Sequence, residues 1–130
     1  MKLLLDTHIF LWYVAGDPQL STTVQNKIRD PNNQVYLSVV SVWEAVIKHE
    51  LGKLSMFMPM SPEVYLPMQR QVLNIQTLDI NESALLHLPK LPPLHRDPFD
   101  RILICQAMQH GLIIVTVDAM ISKYNVPTMG

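Results

Sequence analysis

Hydrophobic positions along the chain fall into two patterns, short uninterrupted apolar runs and longer stretches with helical spacing. Residues 3–5 form an apolar run that ends at Asp6 and Thr7. Between Ile9 and Val14, apolar residues recur at helical spacing, and Gly16 follows them. A short apolar run is typical of a buried strand, whereas the longer spacing indicates a helix. The chain is therefore predicted to open with a strand and then a helix.

The same alternation continues along the chain, with Gly and Pro residues at the breaks. It predicts helices over residues 20–29, 41–51 and 61–72, from 81 onward and over 97–110, and strands over 35–37, 75–78 and 112–117. Because strands alternate with helices, the predicted fold class is α/β, with one parallel-type central sheet flanked by helices on both faces.

Two segments are predicted to be irregular. Residues 88–95 hold three prolines, a content that argues against regular structure. Residues 54–60 are rich in methionine and include Phe57. Flexible apolar side chains of this kind either accept a partner's helix or segment, or fold over the protein's own core. Both interpretations of this loop stay open at the level of sequence.

The composition limits the class of protein. A length of 130 residues is typical of one domain, so a single domain over residues 1–130 is predicted. Ten Lys and Arg against eleven Asp and Glu give a formal charge of −1, so any grip on nucleic acid must come from a local basic patch. The lone Cys105 excludes an intrachain disulfide. With no signal peptide or membrane-spanning run, a cytoplasmic protein without membrane contact is predicted.

Acidic residues stand where the predicted strands end and where the predicted helices begin. Asp6 follows the first strand, and Glu44 lies in the first turn of the helix after the second strand. Asp97 and Asp100 open the late helix, and Asp118 follows the strand over 112–117. Ligands of parallel sheets bind beyond the carboxyl ends of the strands, so these five acids are expected at one edge of the sheet.

Helix capping alone would also select acids at these positions. Ser41-x-x-Glu44 has the form of a capping box, Asp97-Pro98 is a preferred helix entry, and Asp118 could cap the turn that follows. Together, however, several carboxylates at one edge would repel each other unless a cation lay between them. All-oxygen ligation suits Mg²⁺ or Mn²⁺, and the chain lacks the Cys cluster or paired histidines of a zinc site. Metal-assisted phosphodiester hydrolysis is the chemistry expected there.

Four short motifs resemble, in order and spacing, the signatures of PIN-domain ribonucleases of the VapC toxin type. They are LLDTH at 4–8, SVVSVWE at 38–44, HRDPFDR at 95–101 and VTVD at 115–118. The resemblance spans the whole chain and implies a PIN-like fold and a metal-dependent endoribonuclease. It further implies the toxin of a type II toxin–antitoxin pair, often a homodimer, that is inhibited by a cognate antitoxin.

The resemblance also implies roles for the acids. It assigns metal ligation or water activation to Asp6, Glu44, Asp100 and Asp118. Asp97 is a further candidate metal residue, either as a ligand, as a partner that orients a ligand, or as a helix cap only.

Contacts with RNA are predicted for residues beside the acids. Thr7 and Thr116 each neighbour a proposed ligand and could bond a carboxylate or a phosphate. Cationic residues flank the same elements, with Arg101 as the best candidate for a phosphate contact; the others are Arg96, Lys48, Lys53 and His95. The rings that could stack on unpaired bases stand at core spacing instead, so burial is predicted for Trp12, Trp43 and Phe99.

Three alternatives to the nuclease differ from it in the residues or the activity that they require. A dehalogenase-type phosphatase requires a second Asp two residues after the first, where this chain has His8. A phosphoacceptor receiver domain requires paired early acids and a late Lys, and neither is evident. The non-enzymatic alternative is a catalytically silent PIN-like module that pairs with an antitoxin-type partner. Metal-dependent RNA cleavage would distinguish that module from the nuclease.

Overall fold

A computed structural model of the chain describes residues 1–95 and 97–130. Within them, strands and helices alternate as the apolar pattern predicts. The strands are β1 Lys2–Leu5, β2 Gln34–Ser38, β3 Gln76–Leu78, β4 Ile113–Val115 and β5 Thr128–Met129. The α-helices are α1 Thr7–Ala15, α2 Thr22–Arg29, α3 Val39–Glu50, α4 Pro62–Val72, α5 Glu82–Leu85 and α6 Pro98–His110. Two 3-10 helices lie at Leu88–Lys90 and Ile121–Lys123.

The strands form one sheet in the order β3-β2-β1-β4-β5, and every neighbouring pair is parallel. In the central strand β1, Leu3, Leu4 and Leu5 are all fully buried, as expected for a strand covered on both faces. Leu3 and Leu5 join the core with α1, α2 and α4, whereas Leu4 joins the core with α5 and α6. The predicted α/β class, with a parallel sheet between two helical layers, is confirmed.

Helix α3 begins at Val39, two residues earlier than the sequence pattern predicts. Ser38 is the N-cap, because its backbone is extended and its hydroxyl accepts a hydrogen bond of 3.1 Å from the Val40 N–H. Ser41 and Glu44 therefore lie inside the helix, and the capping box predicted for them is wrong. Ser38, at the end of β2, caps the helix in place of Ser41.

The proline-rich segment is less irregular than predicted. A 3-10 helix forms at Leu88–Lys90, with Pro89 in its first turn. A proline at that position has no helical N–H bond to lose, and its fixed φ suits the turn. The prediction of no regular structure over 88–95 is therefore wrong for residues 88–90.

The carboxyl-terminal strand β5 was not predicted. It contains only Thr128 and Met129, which pair with β4 at the edge of the sheet. Two residues carry no readable periodicity, so only the pairing with β4 identifies them as a strand. None of the helices formed by the described residues has the length and apolar character needed to cross a bilayer.

Candidate metal centre

A cleft of about 310 Å³ lies beyond the carboxyl ends of β1 and β4. The five acids singled out in the sequence all line it: Asp6, Glu44, Asp97, Asp100 and Asp118. In a parallel α/β sheet the helices run antiparallel to the strands, so helix starts and strand ends share one edge. This topology brings together residues separated by up to 112 positions in the chain.

Hydroxyl groups hold the two most buried acids of the cleft. Asp6 is 5% exposed and Glu44 is 2% exposed. Thr116 donates its hydroxyl proton to Asp6 Oδ2 over 2.8 Å, and the backbone N–H of Thr7 donates to Asp6 Oδ1 over 2.7 Å. The Thr7 hydroxyl donates to Glu44 Oε1 over 2.7 Å and lies 2.9 Å from Ser41 Oγ. Both threonines thus contact carboxylates, and their predicted contacts with RNA stay predictions.

Glu44 also pairs with a cation from its own helix. Lys48 Nζ lies 2.6 Å from Glu44 Oε2, one helical turn along α3. Burial disfavours the charged amine, but the hydrogen bond and the charge of Glu44 outweigh it, so the pKa of Lys48 lies above its usual value. Lys48 lines the acidic cleft as well.

His95 bridges two acids on the opposite side of the cleft. Its Nε2 lies 2.7 Å from Asp100 Oδ2 and 3.2 Å from Asp118 Oδ2. The candidate ligand atoms of His95, Asp100 and Asp118 all lie within 4.8 Å of one another. Sequence reasoning assigned His95 only a phosphate contact and missed this position. The one available signal was its place next to the acids of the HRDPFDR string.

The orientation of the His95 ring identifies the nitrogen that carries its proton. His95 Nδ1 accepts a hydrogen bond of 3.3 Å from the Asp97 N–H. The neutral ring therefore carries its proton on Nε2, which donates toward the carboxylates of Asp100 and Asp118. His95 thus holds Asp118, which lies in a turn, against Asp100 of helix α6.

The electrostatics of the cleft disfavour a full set of negative charges. Burial and then the charges of Asp6, Asp97 and Glu44 raise the pKa of Asp100 to about 7, although His95 opposes the shift. Burial likewise raises the pKa of Asp6, although the Thr116 hydroxyl favours its ionised form. A cation in the cleft would favour the charged forms of both carboxylates.

Backbone N–H groups at two helix starts and in one turn account for three of the five acids. Asp6 accepts from the first backbone N–H of α1, and Asp97 Oδ1 accepts from the Phe99 and Asp100 N–H groups over 2.9 and 3.3 Å. Asp118 Oδ1 accepts from the Met120 N–H over 2.8 Å. Among the described hydrogen bonds, no backbone N–H group donates to the Glu44 or Asp100 carboxylates. Capping therefore leaves these two buried acids unexplained.

Arg101 points away from the cleft. Its guanidinium donates to the carbonyl oxygens of Pro92 and Leu88 over 3.3 and 3.4 Å and to the Tyr124 hydroxyl over 3.4 Å. These bonds tie α6 to the proline-rich segment, and the predicted phosphate contact of Arg101 stays a prediction. Arg96, the other predicted RNA contact on this element, lies outside the described residues.

The aromatic residues near the cleft differ from one another in exposure. Trp43 is 58% exposed, so its predicted burial is wrong. Its ring meets the half-buried Phe99 edge-to-face, with centroids 4.9 Å apart. Trp12 is half-buried, lines the cleft and lies 6.1 Å from the His8 ring. Glu44 is buried on one face of α3, so the preceding residue, Trp43, lies on a different face and is exposed to solvent.

The donors of the cleft fit a hard divalent cation. Carboxylate oxygens from four segments converge there, and Mg²⁺ and Mn²⁺ prefer such ligands. Asp100 and Asp118 belong to the group whose ligand atoms lie within 4.8 Å of one another. Asp6 and Glu44 line the same cleft, and metal ligation by the four acids stays a prediction. Asp97 and His95 line the cleft beside them, and the Nε2–H of His95 contacts two of the carboxylates.

Comparisons with known proteins agree with the fold. A family model described as the PIN domain matches residues 3–127. The chain is 25% identical over 125 residues to a protein named Ribonuclease VapC22 of Mycobacterium tuberculosis, covering 95% of this chain and 92% of that protein.

Solved structures of VapBC complexes share the fold. VapBC2 of Rickettsia felis, bound to a DNA fragment from its promoter, matches with a TM-score of 0.74 and 14% identity over 99% of this chain and 98% of that one. DNA-bound VapBC of Salmonella typhimurium matches with a TM-score of 0.67 and 16% identity over 99% and 97%. Because the family model spans nearly the whole sequence, the chain belongs to the PIN domain family.

Proposed function

We propose that the chain is a metal-dependent endoribonuclease and the toxin component of a toxin–antitoxin pair. The observation that carries this proposal is the pair of buried carboxylates, Glu44 and Asp100, that cap no helix and face three further acids. Burying carboxylates costs free energy, and ion pairs made to offset that cost seldom add net stability. Buried acids that line an open cleft and cap no helix are therefore candidates for chemistry.

The reaction proposed is hydrolysis of an RNA phosphodiester bond, in which a water oxygen joins phosphorus and one ester P–O bond breaks. Mg²⁺ or Mn²⁺ bound in the cleft would lower the pKa of a water molecule and neutralise charge on the phosphate. Asp6, Glu44, Asp100 and Asp118 would hold the ion. Thr116 and Thr7 would orient the first two acids, and His95 the other two, by the hydrogen bonds described above.

The comparisons support the substrate class and the partner. The curated relative bears the name ribonuclease, and the solved structures with the same fold are VapBC complexes. An antitoxin protein is therefore the proposed partner, and a homodimer the proposed assembly. Phe57, which is 84% exposed beside the groove between α1 and residues 53–57, offers apolar surface for a protein partner.

The test is cleavage of a mixed-sequence single-stranded RNA by the purified chain with Mn²⁺ or Mg²⁺. EDTA and Asp6→Asn should each abolish cleavage. Asp79→Asn is the matched control, because Asp79 also follows a parallel strand but is exposed and does not line the cleft. Cleavage that survives both EDTA and Asp6→Asn would show that the activity does not come from this cleft.

A catalytically silent binding module is the second candidate. It is favoured by the bonds that Asp6, Asp97 and Asp118 accept from backbone N–H groups, which would keep these acids in place without any metal. For such a module, folded protein would neither cleave RNA nor gain thermal stability from Mn²⁺. Stabilisation by Mn²⁺ that is lost in Asp100→Asn would exclude this candidate.

A further inference from the structure

Lys48 lines the acidic cleft and carries a positive charge there. Its ammonium contacts Glu44, and its side chain is 29% exposed against 2% for Glu44. The negative charges of Asp97 and Asp100 also act on it. Lys48 thus places a tethered positive charge among the carboxylates that are positioned to hold a metal ion.

An ordinary helix salt bridge does not account for this arrangement. Exposed pairs one helical turn apart contribute little to stability, and both partners usually remain in water. Here the acid is buried, and its second oxygen is already held by Thr7. The carboxylate therefore has a second hydrogen-bond partner besides Lys48, while Lys48 adds a positive charge to the acidic cleft.

The flexible side chain of Lys48 can move away from Glu44. A lysine ammonium is a compact charge on a flexible four-carbon stem, so it can exchange one oxygen partner for another without backbone movement. Lys48 also lines a neighbouring groove with Lys53 and Phe99, and this groove shares Lys48 and Asp97 with the acidic cleft. A phosphate group that entered the cleft from this groove would meet the released ammonium.

We propose that Lys48 is an internal counter-cation that occupies the carboxylate cleft until a divalent metal displaces it, after which its ammonium binds a phosphate of the RNA. This inference rests on the proposed metal-dependent nuclease and assigns a positioning residue to it. In the metal-free cleft Lys48 would offset the repulsion between carboxylates. In the metal-bound cleft it would hold the RNA substrate.

The first test measures Mn²⁺ affinity without RNA, by calorimetric titration of wild-type protein, Lys48→Met and Lys53→Met. Lys53→Met is the matched control, because it removes a nearby positive charge from a residue that lines the neighbouring grooves but not the acidic cleft. Since Mn²⁺ no longer competes with a tethered cation, Lys48→Met should bind it about three- to ten-fold more tightly than Lys53→Met does. Equal affinities in the two variants, or weaker binding by Lys48→Met, would overturn the proposal.

A second measurement uses the wild-type protein, so it does not depend on the folding of a variant. Lysine acetylation by a limiting acylating reagent, read site by site by mass spectrometry, should increase at Lys48 when Mn²⁺ is added and stay constant at Lys53. Unchanged reactivity of Lys48 in Mn²⁺-bound protein would overturn displacement. Failure of wild-type protein to bind Mn²⁺ would instead overturn the proposed function itself, together with this inference.

The phosphate contact is tested by RNA binding with Ca²⁺, with the RNA checked for integrity on a gel. Each phosphate contact with single-stranded nucleic acid contributes a slope of about −0.7 to the dependence of log affinity on log salt. Lys48→Met should make the slope shallower by about that amount, whereas Lys48→Arg should retain it. A slope unchanged in Lys48→Met would show that the released ammonium does not bind RNA.

Discussion

The two halves of the acidic cleft are built in different ways. The inner half consists of Asp6 and Glu44 with the threonines that hold them, Thr7 and Thr116. The outer half consists of His95, Asp97 and Asp118, and Asp100 lies between the halves. Asp6 and Glu44 are buried at a strand end and inside a helix, whereas the Asp118 side chain is 35% exposed in a turn.

The difference lies in where the hydrogen bonds come from. Asp6 is held by a threonine 110 residues away, and Glu44 by one 37 residues away. Asp97 and Asp118 accept mainly from backbone N–H groups two or three residues further along the chain. Local bonds form wherever a turn forms, but distant ones exist only when the sheet is complete. The inner half is therefore the rigid part of the site, and substitutions there should cost the most activity.

The largest effect is expected from Glu44→Gln. The amide keeps an oxygen for Thr7 but removes the negative charge, so RNA cleavage should fall by about 100-fold or more. Asp118→Asn, in the outer half, should cost about ten-fold. Glu50→Gln, at the exposed end of the same helix, is the control. Equal losses in Glu44→Gln and Asp118→Asn would contradict the distinction between the halves.

Thr116→Val should have the next largest effect. The substitution keeps the shape of the side chain but removes the donor to Asp6 and the acceptor for the Asp118 N–H. Loss of a group that orients a metal ligand typically costs 10- to 100-fold in metal affinity, and a loss of about that size is expected by titration with Mn²⁺. Thr23→Val, on the exposed face of α2, should bind Mn²⁺ as the wild type does. Wild-type affinity in Thr116→Val would show that the inner half does not need this bond.

Asp100 makes the stability of the metal-free protein depend on pH. Its pKa is about 7 in the folded protein against an ordinary value of 3.8, so between these values the folded state binds more protons than the unfolded state. Stability should therefore fall as pH rises from about 4 to about 7 and then level off.

Melting temperatures of EDTA-treated protein across this range measure the effect. In Asp100→Asn the fall should be shallower, and excess Mn²⁺ should abolish it in the wild type, because the ion favours the charged carboxylate. An equally steep fall in Asp100→Asn would assign the dependence to another group.

The smallest effect is expected from His95 in the outer half. His95→Gln retains a donor and should lower RNA cleavage by only a few-fold, whereas His95→Ala removes the bridge and should cost about ten-fold. His110→Ala, at the exposed far end of α6, controls for the loss of an imidazole. A loss in His95→Ala as large as that in Glu44→Gln would make the bridge part of the rigid site.

The gathering of the acids at one edge of the sheet could be predicted from the sequence for one physical reason. In a parallel sheet all strands end at one edge, so acids that follow strands or open helices must approach one another. Asp6, Asp100 and Asp118 satisfy this rule through local sequence alone. The start of α3 was predicted less well, because both Ser38 and Ser41 are suitable caps and only the end of β2 selects between them.

Periodicity and chain direction are sufficient to predict the α/β class, the parallel sheet and the edge at which the acids gather. Tertiary structure alone decided the pairing of His95 with Asp100 and Asp118, the hold of Thr116 on Asp6, and the outward turn of Arg101. Those contacts depend on distances between segments far apart in the chain. The spacing of residues along the chain does not predict such distances. A threonine that binds a phosphate therefore cannot be distinguished from one that orients a carboxylate by sequence alone.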